Sequence, residues 1–274
     1  MSEITIDRLA NYLDQRFPEC LAEPWDNTGL LLGDRRSPVR RVMTCLTVTP
    51  TVVAEAVQQN VDLVVVHHPL PFKPVASIST DHYYGGMLWE LASAGIAIFS
   101  PHTRFDSAAS GINQQLAERL KLTDIQPLAA PPGPAEELTG VGRGRWGRCA
   151  VGTTVATLAR LIEEQLGSDT IKWVPAGKLQ SFDSVVTTVA VGCGSAGEFV
   201  RDARKLGCDL FVTGEATFHT CLEAQSLQVG MLLAGHYYSE RFALEKLAEE
   251  IGQQWSGLQV WASRGELSPT RGLP

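Results

Sequence analysis

Two α/β domains of similar plan, each built on a mainly parallel sheet, are what this 274-residue sequence predicts. Three observations carry that expectation. Apolar, β-branched runs alternate with helical segments from residue 41 to 120, a Pro- and Gly-rich stretch interrupts them at 126–148, and the alternation then returns with similar residues in matching places. Strand-helix alternation is the pattern of a parallel sheet covered by helices. A chain of this length also exceeds what one hydrophobic core usually fills. The expected domains are 1–125 and 126–274, with 126–148 as linker, 269–274 as a mobile tail, and a last helix able to pack on the first domain.

The elements follow in order. MSEITIDRLANYLDQRF sets apolar residues at helical spacing and lacks the basic-then-apolar pattern of a signal peptide. Val42 to Val48 reads as strand, Pro50 to Gln59 as helix and Asp62 to Val66 as strand. A helix around Met87 to Ala94, a strand Ile96 to Ser100 and a helix Ser107 to Leu120 complete the first half. Four prolines and five glycines in QPLAAPPGPAEELTGVGRGRWGR mark the break.

The second half repeats the first. NVDLVVVHH (60–68) aligns with GCDLFVTGE (207–215), and at the same offset the strand residue Val42 aligns with Val189. IFSPHTRFD (98–106) aligns with LLAGHYYSE (232–240), matching His102 to His236 and Asp106 to Glu240. Two such units facing each other would bring their C-terminal strand ends to a shared crevice, where open α/β sheets bind ligands.

Composition narrows the function. A net charge of −7 and a pI near 5.4 argue against a generally basic surface, so nucleic acid is not the default partner. No apolar run approaches the roughly 20 residues of a membrane helix, which points to a cytoplasmic protein. Six cysteines without a CxxC pair read as reduced, mostly buried residues.

The strand ends gather His67, His68, His102, Asp106, Glu215, His219, His236 and Glu240. All are nitrogen or oxygen donors, a set that suits zinc, iron or manganese, and bridging carboxylates allow a paired centre. Pro69 takes the chain out of the pleat in an extended exit, so both adjacent imidazoles can reach one pocket. His82, beside two tyrosines, reads as surface or packing. A competing motif, Gly192, Gly194 and Gly197 as GxGxxG with Glu215 about twenty residues on, would on its own suggest dinucleotide binding. Because its first-half counterpart TCLTVTPTV has no glycine, a tight strand-to-helix turn is the stronger reading.

AEPWDNTGLLLG (22–33), VDLVVVHHPLPF (61–72), HTRFDSAASGINQQLA (102–117), VAVGCGSAGEF (189–199), CDLFVTGEATFH (208–219) and GHYYSER (235–241), in that order, resemble the NIF3-like family, the GTP cyclohydrolase 1 type 2 homologues. The resemblance implies a two-domain α/β protein with two divalent ions per chain in the crevice between the domains, assembled as a toroidal hexamer. It assigns His68 and Asp106 to one ion, His67 and His236 to the other, and Glu240 as the bridge. His102 has no ligand role there and is left as a supporting or catalytic group. The chain resembles the short form without an inserted domain, and departs at Thr47, near which the family usually has an aspartate. The implied activity is hydrolysis, of a nucleotide such as GTP or of a phosphoester; a toroid that binds a partner or nucleic acid strand, with structural metal, is the other reading.

Overall fold

The computed structural model describes residues 3–270. Along the chain lie α1 (Ile6–Arg16), β1 (Gly29–Leu32), β2 (Arg41–Thr47), α2 (Pro50–Gln58), β3 (Leu63–His68), α3 (Tyr83–Ser93), β4 (Ala97–Ser100), α4 (His102–Ser107) and α5 (Ile112–Arg119). They are followed by β5 (Thr123–Ala129), β6 (Arg143–Arg148), α6 (Val155–Leu166), β7 (Lys172–Val174), β8 (Thr188–Gly192), α7 (Val200–Lys205) and β9 (Leu210–Thr213). The chain closes with α8 (Phe218–Ser226), β10 (Gly230–Leu233), α9 (His236–Glu240), α10 (Phe242–Gln254) and β11 (Gln259–Ala262). No described helix is long and apolar enough to cross a membrane.

Two compact units result, Met1–Phe105 with Ala243–Leu267, and Asp106–Phe242 with Ser268–Pro274. A last helix able to pack on the first domain is the sequence expectation; residues 243–267, with most of α10 and all of β11, group with the first unit, and the place of β11 depends on which sheet edge is open. Of the tail expected at 269–274, residues 271–274 lie outside the described residues. The segment 126–148, expected as a linker, carries the end of β5 and all of β6. Its glycines serve sheet geometry there: Gly142 has φ +147, and a Cβ on it would meet the Ala129 carbonyl oxygen at 2.5 Å.

The first unit holds a sheet in the order β1-β4-β3-β2-β11, with β2, β3, β4 and β11 parallel and β1 antiparallel. α1 starts where the Thr5 hydroxyl accepts from the Arg8 N–H, and it buries Ile6, Leu9, Ala10 and Leu13 along one face. Met43, Cys45, Val64, Val66 and Ile98 pack with Val52 and Ala56 of α2 and Met87, Leu88 and Leu91 of α3. Each large aliphatic side chain buried there contributes about 1.5–3 kcal/mol.

The second unit holds the order β5-β6-β8-β9-β10-β7; β8, β9 and β10 are parallel, and the outer strands antiparallel. Ala190, Phe211 and Met231 of the sheet pack with Val200 and Ala203 of α7 and Ala224 of α8. Arg145 is fully buried, and its guanidinium donates to the carbonyls of Ala108, Gly140, Gly142 and Gly144 and to Gln114. Burial lowers its pKa to about 10, which leaves it charged at neutral pH.

The repeat is visible in hydrogen bonds. The Asp62 carboxylate accepts from the N–H groups of Arg40 (2.7 Å) and Arg41 (2.8 Å). Asp209, its sequence counterpart, accepts from Thr187 (2.8 Å) and Thr188 (3.2 Å). Each thereby fixes the start of the neighbouring strand. One expected element is shorter: of the helix from Ser107 to Leu120, α5 covers Ile112–Arg119 after an extended Gly111, and Ser107 instead ends the separate short helix α4.

Candidate metal centre

In the first unit β3 delivers His67, buried, and His68, half-buried, at its C-terminal end. α4 opens directly after Pro101, and its first residue, His102, takes the left-handed value φ 30. That conformation is strained for a residue with a Cβ and aims the imidazole back at the strand end. The three rings lie with centroids 5.1 Å (His67–His68), 5.1 Å (His67–His102) and 5.8 Å (His68–His102) apart. One ring nitrogen from each falls within 4.8 Å of the others, a group able to hold a metal ion.

Two of these rings are oriented from behind. The Thr47 hydroxyl bonds His68 Nδ1 at 2.7 Å, so a neutral partner orients that ring. His102 Nδ1 sits 2.6 Å from Asp26 Oδ1. The Asp26 side chain is buried. Burial alone would raise its pKa, but hydrogen bonds from His102, Thr103 and the Asn27 N–H, with the attraction of His102, hold its carboxyl below the usual carboxylate range. An ionised Asp26 can only accept a hydrogen bond there, so Nδ1 carries the proton and Nε2 is left as the acceptor. Sequence reasoning missed Asp26; the only signal was its place in WDN, within a stretch used for family resemblance.

Asp106, His236 and Glu240 belong to the second unit, and Asp106 joins none of the metal-capable groups among the described residues. His236 opens α9, and Glu240 one turn later places Oε2 3.1 Å from His236 Nε2. Glu215, from the end of β9, takes His236 Nδ1 at 2.9 Å. Burial would depress the His236 pKa, yet Glu240 and Glu215 together raise it to about 9. Asp106 Oδ1 accepts from the Cys193 thiol at 3.2 Å. Burial, reinforced by Asp106 and Glu240, pushes that thiol well above its ordinary pKa, so it stays a donor. Asn113 ties the same corner together, donating to the Asp106 carbonyl and accepting from the Cys193 N–H.

The glycine motif has a packing explanation. Gly194 has φ +61, and a Cβ there would fall far inside contact distance of Glu240 Oε1 and 3.3 Å from His236 Nε2. A Cβ on Gly192 would meet Ala196 at 2.8 Å, and one on Gly197 would meet Thr220 at 3.0 Å. The following helix, α7, spans only Val200–Lys205. Among the other singled-out histidines, His82 and His219 are exposed and join none of the metal-capable groups among the described residues.

The Duf34/NIF3 (NGG1p interacting factor 3) family model matches residues 4–269. A GTP cyclohydrolase 1 type 2 homolog of Clostridium perfringens is 30% identical over 249 residues, spanning 91% of this chain and 92% of its own. Protein NIF3 homolog of Schizosaccharomyces pombe is 29% identical over 283 residues, spanning 98% and 99%. Among solved structures, Staphylococcus aureus protein SA1388 superposes with TM-score 0.87 at 24% identity over 98% of this chain and 99% of that one. The Bacillus cereus protein related to NIF3 gives TM-score 0.87 at 22% identity over the whole of both chains. At those identities the two structures establish the shared fold.

Proposed function

The chain belongs to the Duf34/NIF3 family, and on that premise we propose that it is a metal-dependent hydrolase of a nucleotide such as GTP, or of a phosphoester. Its metals are two divalent ions per chain, zinc, iron or manganese, on His67, His68, Asp106, His236 and Glu240, and it works as a homohexamer in the cytoplasm. The observation that carries the reading is the convergence of His67, His68 and His102 within 4.8 Å. Structural histidines that close a strand have no reason to cluster in threes with two of the rings held from behind by a hydroxyl and a buried carboxylate.

Divalent ions on such donors supply Lewis acidity toward a bound water or a substrate oxygen. The protein's own share is orientation and proton handling. Thr47 fixes the His68 ring, Cys193 and Asn113 fix Asp106, and Gly194 leaves room for the Glu240 carboxylate. His102, whose Nδ1–H is donated to Asp26, would use Nε2 to accept a proton from the attacking water and return it to the leaving group.

Elemental analysis of protein never exposed to chelator is the test, joined to turnover on GTP and a phosphodiester. Close to two divalent ions per chain is expected, with clear loss in His68→Ala and Glu240→Gln. A metal content near zero removes the basis of this reading. Metal without turnover in a hexamer that Glu240→Gln breaks apart would make the ions structural.

A further inference from the structure

The two units differ most in the connection after the second parallel strand. In the second unit residues 214–217 suffice to pass from β9 to α8, whereas in the first unit residues 69–82 separate β3 from α3. This long connection, PLPFKPVASISTDH, is anchored at both ends. The Asn27 side chain donates to the Pro71 carbonyl at 2.7 Å, and Leu70 is buried. Near its other end the chain closes on α3 so tightly that a Cβ on Gly85 would meet the Ser79 carbonyl oxygen at 2.5 Å.

Between those anchors lies a cavity of about 510 Å³, lined among others by Thr47, His68, Phe72, Lys73, Val75 and Tyr84. That is the size of a small-molecule site, typically about 300–1,000 Å³. Most of its lining is proline and aliphatic, and two aromatic rings in it stand open to solvent: Phe72 is 43% exposed and Tyr84 62%. Trp25, itself 61% exposed, sets its ring edge against Phe72 with centroids 6.0 Å apart, and Phe72 in turn lies 6.2 Å from His102. Lys73 has no ion-pair or hydrogen-bond partner among the described residues, an unmatched cation in a chain of net charge −7. His68, a member of the imidazole group, lines the same cavity.

We infer that this slot is the subsite for the substrate's planar heteroaromatic ring and its anionic group, together a purine nucleotide. The base stacks on Phe72 and Tyr84, its phosphate chain meets Lys73, and the reacting atoms face His68. Aromatic faces left in water beside a metal-capable group gain by stacking on a flat ring, and every nucleobase presents one. The bare Lys73 ammonium supplies the complementary charge for phosphate. This inference rests on the hydrolase reading for its context but not for its test.

Binding of GTP, guanosine and inorganic triphosphate to the metal-loaded protein, by calorimetry, separates the parts. Phe72→Ala and Tyr84→Ala should each weaken GTP and guanosine roughly ten- to hundredfold, leaving triphosphate unchanged. Lys73→Ala should weaken GTP and triphosphate and spare guanosine. All three side chains are exposed, so the variants should keep their metal content and thermal midpoint, which are measured alongside. Wild-type GTP binding that none of the three variants alters, or no nucleotide binding at all, overturns the subsite. If GTP binds through Phe72, Tyr84 and Lys73 but is never hydrolysed, the subsite stands and the hydrolase reading falls.

Discussion

The two α/β units share a scaffold and diverge in what they attach to it. Both place an aspartate, Asp62 or Asp209, where it accepts from two successive N–H groups of the adjoining strand. Both open a short helix after the third parallel strand with a histidine, His102 or His236, whose Nδ1 is held by a carboxylate. The carboxylates come from different places. Asp26 precedes the first sheet and its side chain is buried; Glu215 follows β9 and its side chain is 57% exposed. A repeat therefore fixes where an imidazole goes, and unrelated local sequence decides how firmly it is held.

The largest difference should appear when those two carboxylates are neutralised. Asp26→Asn leaves no anion in a buried position to hold the Nδ1 proton of His102, and hydrolysis should fall about 100-fold or more, in the range of a lost general base. Glu215→Gln, in contact with water, should cost less than about tenfold. Equal losses, read as kcat at saturating substrate, would show that burial of the partner does not set the role of the histidine.

Gly194 tests a feature found only in the second unit, since its counterpart in the first is not a glycine. Gly194→Ala forces a Cβ onto Glu240 in a left-handed backbone and should destabilise by about 2 kcal/mol while lowering metal content. Full metal content in a stable variant would mean that Glu240 is not confined as the glycine implies.

The matched aspartates allow a symmetric comparison. Asp62→Ala and Asp209→Ala each strip two strand N–H groups of their acceptor, and each should cost about 1–3 kcal/mol in urea denaturation. Near-zero cost in one and a large cost in the other would break the physical equivalence of the repeats.

The smallest effect concerns an edge present in the first unit alone. Glu55 accepts from Trp261, Ser263, Arg264 and Gly265 and so fastens the segment after β11 to α2. Burial would raise its pKa, but those hydrogen bonds lower it below its ordinary 4.5. A depressed folded pKa means the stabilisation is complete above the unfolded value and is lost as pH falls through the folded one. Glu55→Gln should cost about 1 kcal/mol at pH 7, after allowance for its exposure, and converge with wild type in acid. A gap that persists below pH 3 would assign the cost to packing.

What the sequence by itself determined is what local chemistry and periodicity can encode. The β-branched runs that become β2, β3, β8 and β9, the repeat offset joining Asp62 to Asp209, and the donor types His67, His68, Asp106, His236 and Glu240 are all legible without coordinates. Tertiary structure decided the rest, because it depends on partners distant along the chain. Asp26 reaches His102 across 76 residues, Gly194 meets Glu240, and Thr47 meets His68 in the neighbouring strand. The same holds for the C-terminal segment. β11 carries little apolar alternation of its own, and its place against β2 follows from an open parallel edge with unmatched N–H and C=O groups, filled by register pairing from Gln259–Arg41 to Ala262–Thr44. A sequence shows that a strand exists; only the folded sheet shows which edge is left for it to satisfy.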